Sequence, residues 1–469
     1  MIYGYSIVYG VEKALDMFKR MAERDSVSWN IIISFLSKHG FGVESLCMFV
    51  EMCRQGFGPN SLTYVSVLRA CTSLYDLEWG AHLHARFIRL ESFLDIIVGN
   101  GLINMYAKCG HLVFARRVFN SLTERNIISW TAMITAFSQN GDVEKAWDCF
   151  NKMPERNLIT WNSMISTYNQ HGFWEDGLNL YNLMLREGVK PDRVTFATSI
   201  VACANLTILK LGTQIVAQAE KLGFGSNVSV ANSVLTMYSR CGQIEEAQKI
   251  FDSIGKKNLI SWNAMMAGYA QNGKGKKVIE IFEDMLTMKC KPDHISFVAL
   301  LSGCSHSGLV TEGKHYFSSM TKDYCISPCH EHFACMVDLL GRSGLLEEAK
   351  SLIDGMPFKP TVDIWGALLG ACQIHCNTNL AELILRNLLE LDFEVSGSYI
   401  LLANTYSDSG KLEGVACVRK LMREKGMRKN PGCSWIEVDN RIHVFTADDI
   451  NHPQIKDIYS VLEEITENW

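Results

Sequence analysis

Proline is scarce in this chain, with 9 residues in 469, too few for a Pro-rich disordered polymer. No run of about 18 apolar residues occurs, which excludes a helical membrane span. Positive charge is not in excess: 45 Lys and Arg stand against 50 Asp and Glu, for a net −5. That argues against a strongly basic, sequence-blind nucleic-acid binder, and leaves open a local basic groove or base reading by neutral polar groups. Sixteen cysteines are present, yet no C-x-x-C pair exists, so no structural zinc site is expected. Histidines are scattered. The one dense cluster, His330-Glu331-His332, lacks a plausible set of further ligands and reads as a solvated helix start; His82 and His84 read as surface or packing residues.

What the chain has instead is repetition. Ser28-Trp29-Asn30 returns as Ser129-Trp130-Thr131, Thr160-Trp161-Asn162 and Ser261-Trp262-Asn263. Trp29 to Trp130 spans 101 residues, and so does Trp161 to Trp262. A superperiod of three slightly unequal units, two of 35 residues and one of 31, accounts for that spacing. Periods of this size indicate a stacked array in which each unit buries its apolar face against its neighbours. A 469-residue chain then needs no single large core.

The recurring Trp, Gly and small residues bound the units. A partial unit covers 1–25. Full units run 26–60, 61–95, 96–126, 127–157, 158–192, 193–227, 228–258, 259–293, 294–329 and 330–361. Two divergent units cover 362–395 and 396–429, and 430–469 is a tail of a different kind. Within 127–157, Ile128, Met133, Ile134 and Phe137 form one apolar set, Gly141 breaks it, and Val143, Ala146, Trp147 and Phe150 follow at three- and four-residue spacing. The pattern predicts helix, turn, helix. Glycine fills the fifteenth place nine times (Gly40, Gly110, Gly141, Gly172, Gly242, Gly273, Gly308, Gly344, Gly410), which suits a left-handed turn. The twentieth place is small, as in Ala115, Ala146, Ala247, Ala349, Gly80, Gly212 and Gly313, so paired helices can cross closely. Cys71, Cys203, Cys304 and Cys372 fall at the eleventh place, and Cys109 and Cys241 at the fourteenth. Cysteine locked to register in this way is expected to act as a small buried hydrophobe.

The Trp-Asn starts, the run Tyr106-Ala-Lys-Cys-Gly110, and the endings Lys190-Pro191-Asp192 and Lys291-Pro292-Asp293 closely resemble the plant pentatricopeptide repeat family, in its long-and-short-repeat subclass. Cys335 to Arg342 resembles the last short repeat, Trp365 to Cys372 the first motif of the C-terminal extension, and Pro431-Gly-Cys-Ser-Trp-Ile-Glu437 the box that follows the second. The resemblance implies an all-α, right-handed α-solenoid (superhelix) of helix-turn-helix repeats: a truncated repeat at 1–25, an array over 26–361, extension motifs over 362–429 and a tail over 430–469. It implies a single-stranded RNA binder rather than an enzyme, with no cofactor or metal. The longest members of the family end in a zinc deaminase, which needs a His-x-Glu and a Cys-x-x-Cys. Neither pattern is present, so this chain is not expected to deaminate by itself. Met1 aligns to the seventh place of a unit and no transit peptide is visible, so the chain is expected to be a shortened version of a mitochondrial or, alternatively, chloroplast protein.

Helical-repeat RNA binders read one base per unit with two or three side chains. In the resembled family these are the fifth and last residues of each unit. Here the pairs are Asn30/Asn60, Asn100/Asn126, Thr131/Asn157, Asn162/Asp192, Asn232/Asn258 and Asn263/Asp293. Asparagine is a mediocre helix former, but its amide offers a base both a donor and an acceptor. The last-place Asn or Asp could equally cap the next helix, and both roles can coexist. By the family's code, Asn with Asp favours uracil, Thr with Asn adenine, and Asn with Asn a pyrimidine. Val65, Ala197 and Val298 at other fifth places cannot hydrogen-bond a base, and Ala334/Thr361 departs from the code. The implied footprint is Y-n-Y-A-U-n-Y-U-n-n, three nucleotides, then an edited C. Apolar second-place residues such as Val27, Ile128 and Ile260 either grip bases or pack in the core. The function implied is site recognition for C-to-U editing, with a deaminase or accessory factor recruited in trans through 362–469; the alternatives are an organellar RNA splicing, stability or translation factor without editing, or a helical-repeat protein-interaction scaffold.

Overall fold

A computed structural model describes residues 11–21, 23–90, 94–390, 396–424, 433–438, 441–446 and 454–467. Met1 to Gly10, Pro431 and Gly432, all used in the sequence reading, lie outside the described residues. The chain divides into two bodies, residues 1–202 and 203–469. Each is an α-solenoid in which consecutive helical hairpins stack.

The first helix of a unit is nearly constant. It has 13 residues in Ser26–Lys38, Ile96–Lys108, Ile127–Gln139, Leu158–Gln170, Val228–Arg240 and Leu259–Gln271. The second helix absorbs the difference in unit length. It has 13 or 14 residues in the 35-residue units, as in Gly42–Arg54, Leu77–Leu90, Trp174–Arg186 and Gly275–Thr287. In the 31-residue units it has 10: Leu112–Ser121, Val143–Lys152 and Ile244–Ser253. Between the helices the fifteenth-place residue takes the left-handed conformation. All nine predicted glycines have φ between +66° and +85°. Tyr75, Thr207 and Cys376 hold the same place without glycine at φ +55°, +55° and +52°, so the array imposes this turn even against side-chain sterics.

The core is built at the joints between units. Trp29, Trp161 and Trp262 are buried, and each meets the last phenylalanine of the preceding second helix edge-on: Phe18 at 4.7 Å, Phe150 at 4.9 Å and Phe251 at 5.1 Å. Trp130 meets Phe119 likewise at 4.9 Å. A basic residue lies over each phenylalanine ring: Arg24, Arg125, Arg156 and Lys257 lie 5.1, 4.9, 4.8 and 4.8 Å from the ring centres. The three arginines also donate to the carbonyls of Phe18, Phe119 and Phe150. This basic clasp fixes the chain between units and was not foreseen from sequence.

Cys71, Cys203, Cys304 and Cys372 are fully buried. Burial pushes the thiols of Cys71, Cys304 and Cys372 up to about 12, so they stay protonated. The fourteenth-place Cys109 and Cys241 are only half-buried. At the twentieth place the four alanines are fully buried. A Cβ on Gly80 would lie 2.5 Å from Met105 Sδ, and one on Gly313 2.3 Å from Leu339 Cδ2, which is the close crossing expected there.

Two findings correct or extend the sequence reading. His332 is not solvated: it is fully buried, its Nε2 lies 2.9 Å from the His294 carbonyl, and its Nδ1 accepts from Cys329 N–H at 3.1 Å. It occupies the third place of its unit, where most other units put a buried Ser or Thr and the rest a buried Val or Ile, and that register buries it. The tail carries a two-stranded antiparallel sheet, Cys433–Val438 with Arg441–Thr446, pairing Trp435 with Val444. Helix Ile455–Glu467 follows. Among the described residues no His, Cys, Asp or Glu group is arranged to hold a metal ion, and no helix is long and apolar enough to cross a membrane.

Candidate nucleic-acid interface

The last residue of a unit is the N-cap of the next first helix. Its side-chain oxygen accepts from a first-turn backbone N–H, because those donors have no intrahelical partner. Asn60 accepts from Thr63 N–H at 3.0 Å, Asn126 from Ser129 at 3.0 Å, Asn157 from Thr160 at 3.1 Å, Asn258 from Ser261 at 2.9 Å and Asp293 from Ser296 at 2.9 Å. Asp192 Oδ1 accepts from both Val194 and Thr195, at 3.0 and 2.9 Å.

The same oxygen receives the fifth-place amide of the unit it closes. Asn30 Nδ2 donates to Asn60 Oδ1 at 3.3 Å, Asn162 to Asp192 at 3.0 Å and Asn263 to Asp293 at 3.1 Å. Asn100 donates to Asn126 at 3.5 Å and Asn232 to Asn258 at 3.4 Å. Five of the six pairs proposed from sequence are thus joined side chain to side chain. In the sixth, Thr131 donates its hydroxyl proton to Ile127 O at 2.7 Å, and no hydrogen bond joins it to Asn157.

Capping and pairing consume only Oδ1 of the last residue. Among the described residues, no hydrogen bond takes Oδ2 of Asp192 or Asp293, or Nδ2 of Asn60, Asn126, Asn157 or Asn258. An Asp-ended unit therefore offers a free acceptor, and an Asn-ended unit a free donor. Burial alone would raise the Asp192 and Asp293 carboxyls. Hydrogen bonds outweigh it, from the Thr195 and Ser296 N–H groups first and then from Asn162 and Asn263, and hold both below the ordinary range. Both are anionic at neutral pH.

The apolar second-place residues are exposed rather than packed: Val27 by 61%, Ile128 by 63% and Ile260 by 65%. Ile97, Ile128 and Ile159 line one open pocket of about 590 Å³ together with Asn100, Asn126, Thr131 and Asn157. Polar pairs thus sit between exposed aliphatic side chains on the first-helix face of residues 1–202. A regular row of solvated isoleucines is the kind of apolar surface that a ligand covers.

Sequence reasoning missed the third-place hydroxyls. Thr195 Oγ1 donates to Asn162 Oδ1 at 2.6 Å, Ser296 Oγ to Asn263 Oδ1 at 2.7 Å, and Thr63 Oγ1 makes the same bond to Asn30. The signal was present, since Ser28, Ser129, Thr160 and Ser261 open the repeated tripeptides that defined the array.

The comparisons with known proteins agree with this architecture. The PPR repeat description matches residues 1–26, 100–127, 229–259, 295–325 and 331–359, and the PPR repeat family description 24–73, 125–159, 156–205 and 257–306. The E motif matches 375–437 and the E+ motif 442–467. A pentatricopeptide repeat-containing protein of Arabidopsis thaliana is 47% identical over 466 residues, covering 98% of this chain and 67% of its own. A chloroplastic relative from the same plant is 36% identical over 451 residues, covering 96% of this chain and 48% of its own. A mitochondrial one is 37% identical over 459 residues, covering 98% and 50%. The chain spans between about half and two thirds of the length of these relatives. The crystal structure of the maize pentatricopeptide repeat protein PPR10 aligns with a TM-score of 0.55 at 17% identity, over 91% of this chain and 73% of that one, which supports the fold. With its repeated hairpins, alternating unit lengths and C-terminal E and E+ motifs, this chain belongs to the pentatricopeptide repeat family, a family of helical repeats.

Proposed function

We propose that this protein binds single-stranded RNA base by base through its fifth- and last-place pairs, and that it serves as a site-recognition factor for C-to-U editing in an organelle. The observation that carries the RNA reading is the side-chain pairing itself: five unit pairs are held together by one hydrogen bond each, beside exposed aliphatic residues. Base edges complement what each pair leaves free. Asn162 with Asp192 offers one N–H and the Oδ2 acceptor, which suits a uracil carbonyl and its N3–H. Thr131 has given its proton to Ile127 O, so its oxygen accepts from the adenine amino group while Asn157 Nδ2 donates to N1. Guanine presents the opposite polarity at both atoms. Asn with Asn offers donors to the acceptors of a pyrimidine.

The editing role rests on the matched E and E+ motifs, and the organelle on chloroplastic and mitochondrial relatives. A deaminase acting in trans is the partner assigned to 362–469. Gel-shift titrations with the footprint RNA test base reading: replacing A by G opposite Thr131/Asn157 is expected to weaken binding about tenfold, or about 1.4 kcal/mol. Unchanged affinity refutes that assignment. Sequencing organellar transcripts of a knockout line tests the role. Loss of one editing site supports it, whereas unspliced introns or altered ends with editing intact refute it.

A further inference from the structure

The Asn/Asn pairs of units 26–60 and 96–126 are identical in sequence, yet their surroundings differ. At Asn30, the Thr63 hydroxyl donates to Oδ1 while Nδ2 donates to Asn60, so both ends of the amide are held. At Asn100, the equivalent hydroxyl, Ser129 Oγ, reaches Asn126 Oδ1 at 3.1 Å, as Thr63 Oγ1 also reaches Asn60 Oδ1 at 3.0 Å, but it makes no bond to Asn100 Oδ1. Asn100 Oδ1 is left buried and without a hydrogen-bond partner. The same contrast recurs in residues 203–469. Ser296 holds Asn263 Oδ1, whereas Ser261 bonds Asn258 Oδ1 at 2.9 Å and Asn232 Oδ1 is buried and unpartnered. Hydroxyl type is not the cause, because Ser296 clamps as Thr63 and Thr195 do. The three clamped amides all lie in 35-residue units and the two unclamped ones in 31-residue units.

We propose that the third-place hydroxyl of the following unit, Thr63 for the pair Asn30/Asn60, is a positioning residue that sets how sharply that pair tells cytosine from uracil. This rests on the RNA-reading proposal above and deepens it. A clamped amide has its oxygen occupied and presents only its second N–H to a base. Asn30 and Asn60 then offer donors alone. These fit the N3 and O2 acceptors of cytosine and oppose the N3–H of uracil. An unclamped amide is held by one long hydrogen bond and carries an unmet buried acceptor, so a half-turn that offers its oxygen to a base loses little and satisfies that atom. Asn100/Asn126 and Asn232/Asn258 thus accept either pyrimidine. Thr63 touches no base in this scheme; it acts through Asn30.

The test compares dissociation constants of the full chain for four RNAs, with C or U opposite Asn30/Asn60 and C or U opposite Asn100/Asn126. The native protein is expected to prefer C about tenfold at the first position and to differ by less than about threefold at the second. Thr63→Val should lower the first ratio to the level of the second without changing the second, and Thr63→Ser should keep it. Thr63 also completes a helix cap, so melting curves of both variants accompany the titration. If Thr63→Val does not fold, Ser296→Ala is read opposite Asn263/Asp293, where it must shrink the uracil preference. Equal native ratios at the two positions, or a Thr63→Val ratio equal to the native one, overturn the clamp and leave base reading standing. A native chain that binds none of the RNAs overturns the reading itself and the clamp with it.

Discussion

Units of 35 and 31 residues share nearly the same first helix and the same turn, but differ by about one helical turn in the second helix. In the three long units with a fifth-place asparagine, that amide sits within 3.0–3.3 Å of its partner and is clamped by a hydroxyl. In the short units it sits at 3.4–3.5 Å and is not clamped. The joint tells the same story: Trp161 is fully buried in its long unit, whereas Trp130, where two short units adjoin, is only partly covered. It borders an open pocket of about 320 Å³ lined by Phe119, Arg116, Arg125 and Lys152. A length change confined to the second helix thus goes with a different hydrogen-bond arrangement on the first-helix face.

The largest test of this contrast is at the tryptophans. Trp161→Ala is expected to destabilise the chain by about 3–5 kcal/mol, and Trp130→Ala by roughly half as much, since less contact is lost. Urea unfolding followed by circular dichroism measures both; equal losses would break the comparison. Next is specificity. Asp192→Asn replaces the free acceptor of a clamped unit by a donor, so uracil preference opposite that unit should turn to cytosine preference, a change of about tenfold or more in the ratio of dissociation constants.

Acid sharpens the point. The Asp192 and Asp293 carboxyls lie below their ordinary value when folded. Their stabilising hydrogen bonds are thus fully present above the unfolded pKa and are lost as pH falls through the lower folded one. Melting temperature should show no loss from these groups between pH 7 and about pH 5, and uracil preference should persist over the same window. The smallest effect expected is at the turn. Thr207 holds φ +55° where most units have glycine. Thr207→Gly should stabilise by about 1 kcal/mol, read as a rise in melting temperature.

Periodicity carried much of this into view. The fifteenth-place glycines, the eleventh-place cysteines and the small twentieth place all follow from one unit packing on the next, so each recurs at fixed spacing and is legible without coordinates. The exposed second-place isoleucines were not decidable that way, because an apolar residue on a helix fits a core or a groove equally well. His332 misled for the opposite reason: its charged neighbour suggested solvent, while its third-place register put it inside.

The repeat spacing by itself determined the hairpin architecture, since it is a local and nearest-neighbour consequence of helical periodicity. Tertiary structure alone decided which amides are clamped, which oxygens remain free and which tryptophan is left half-covered. Those depend on tenths of an ångström between side chains of successive units, which no spacing in the sequence records.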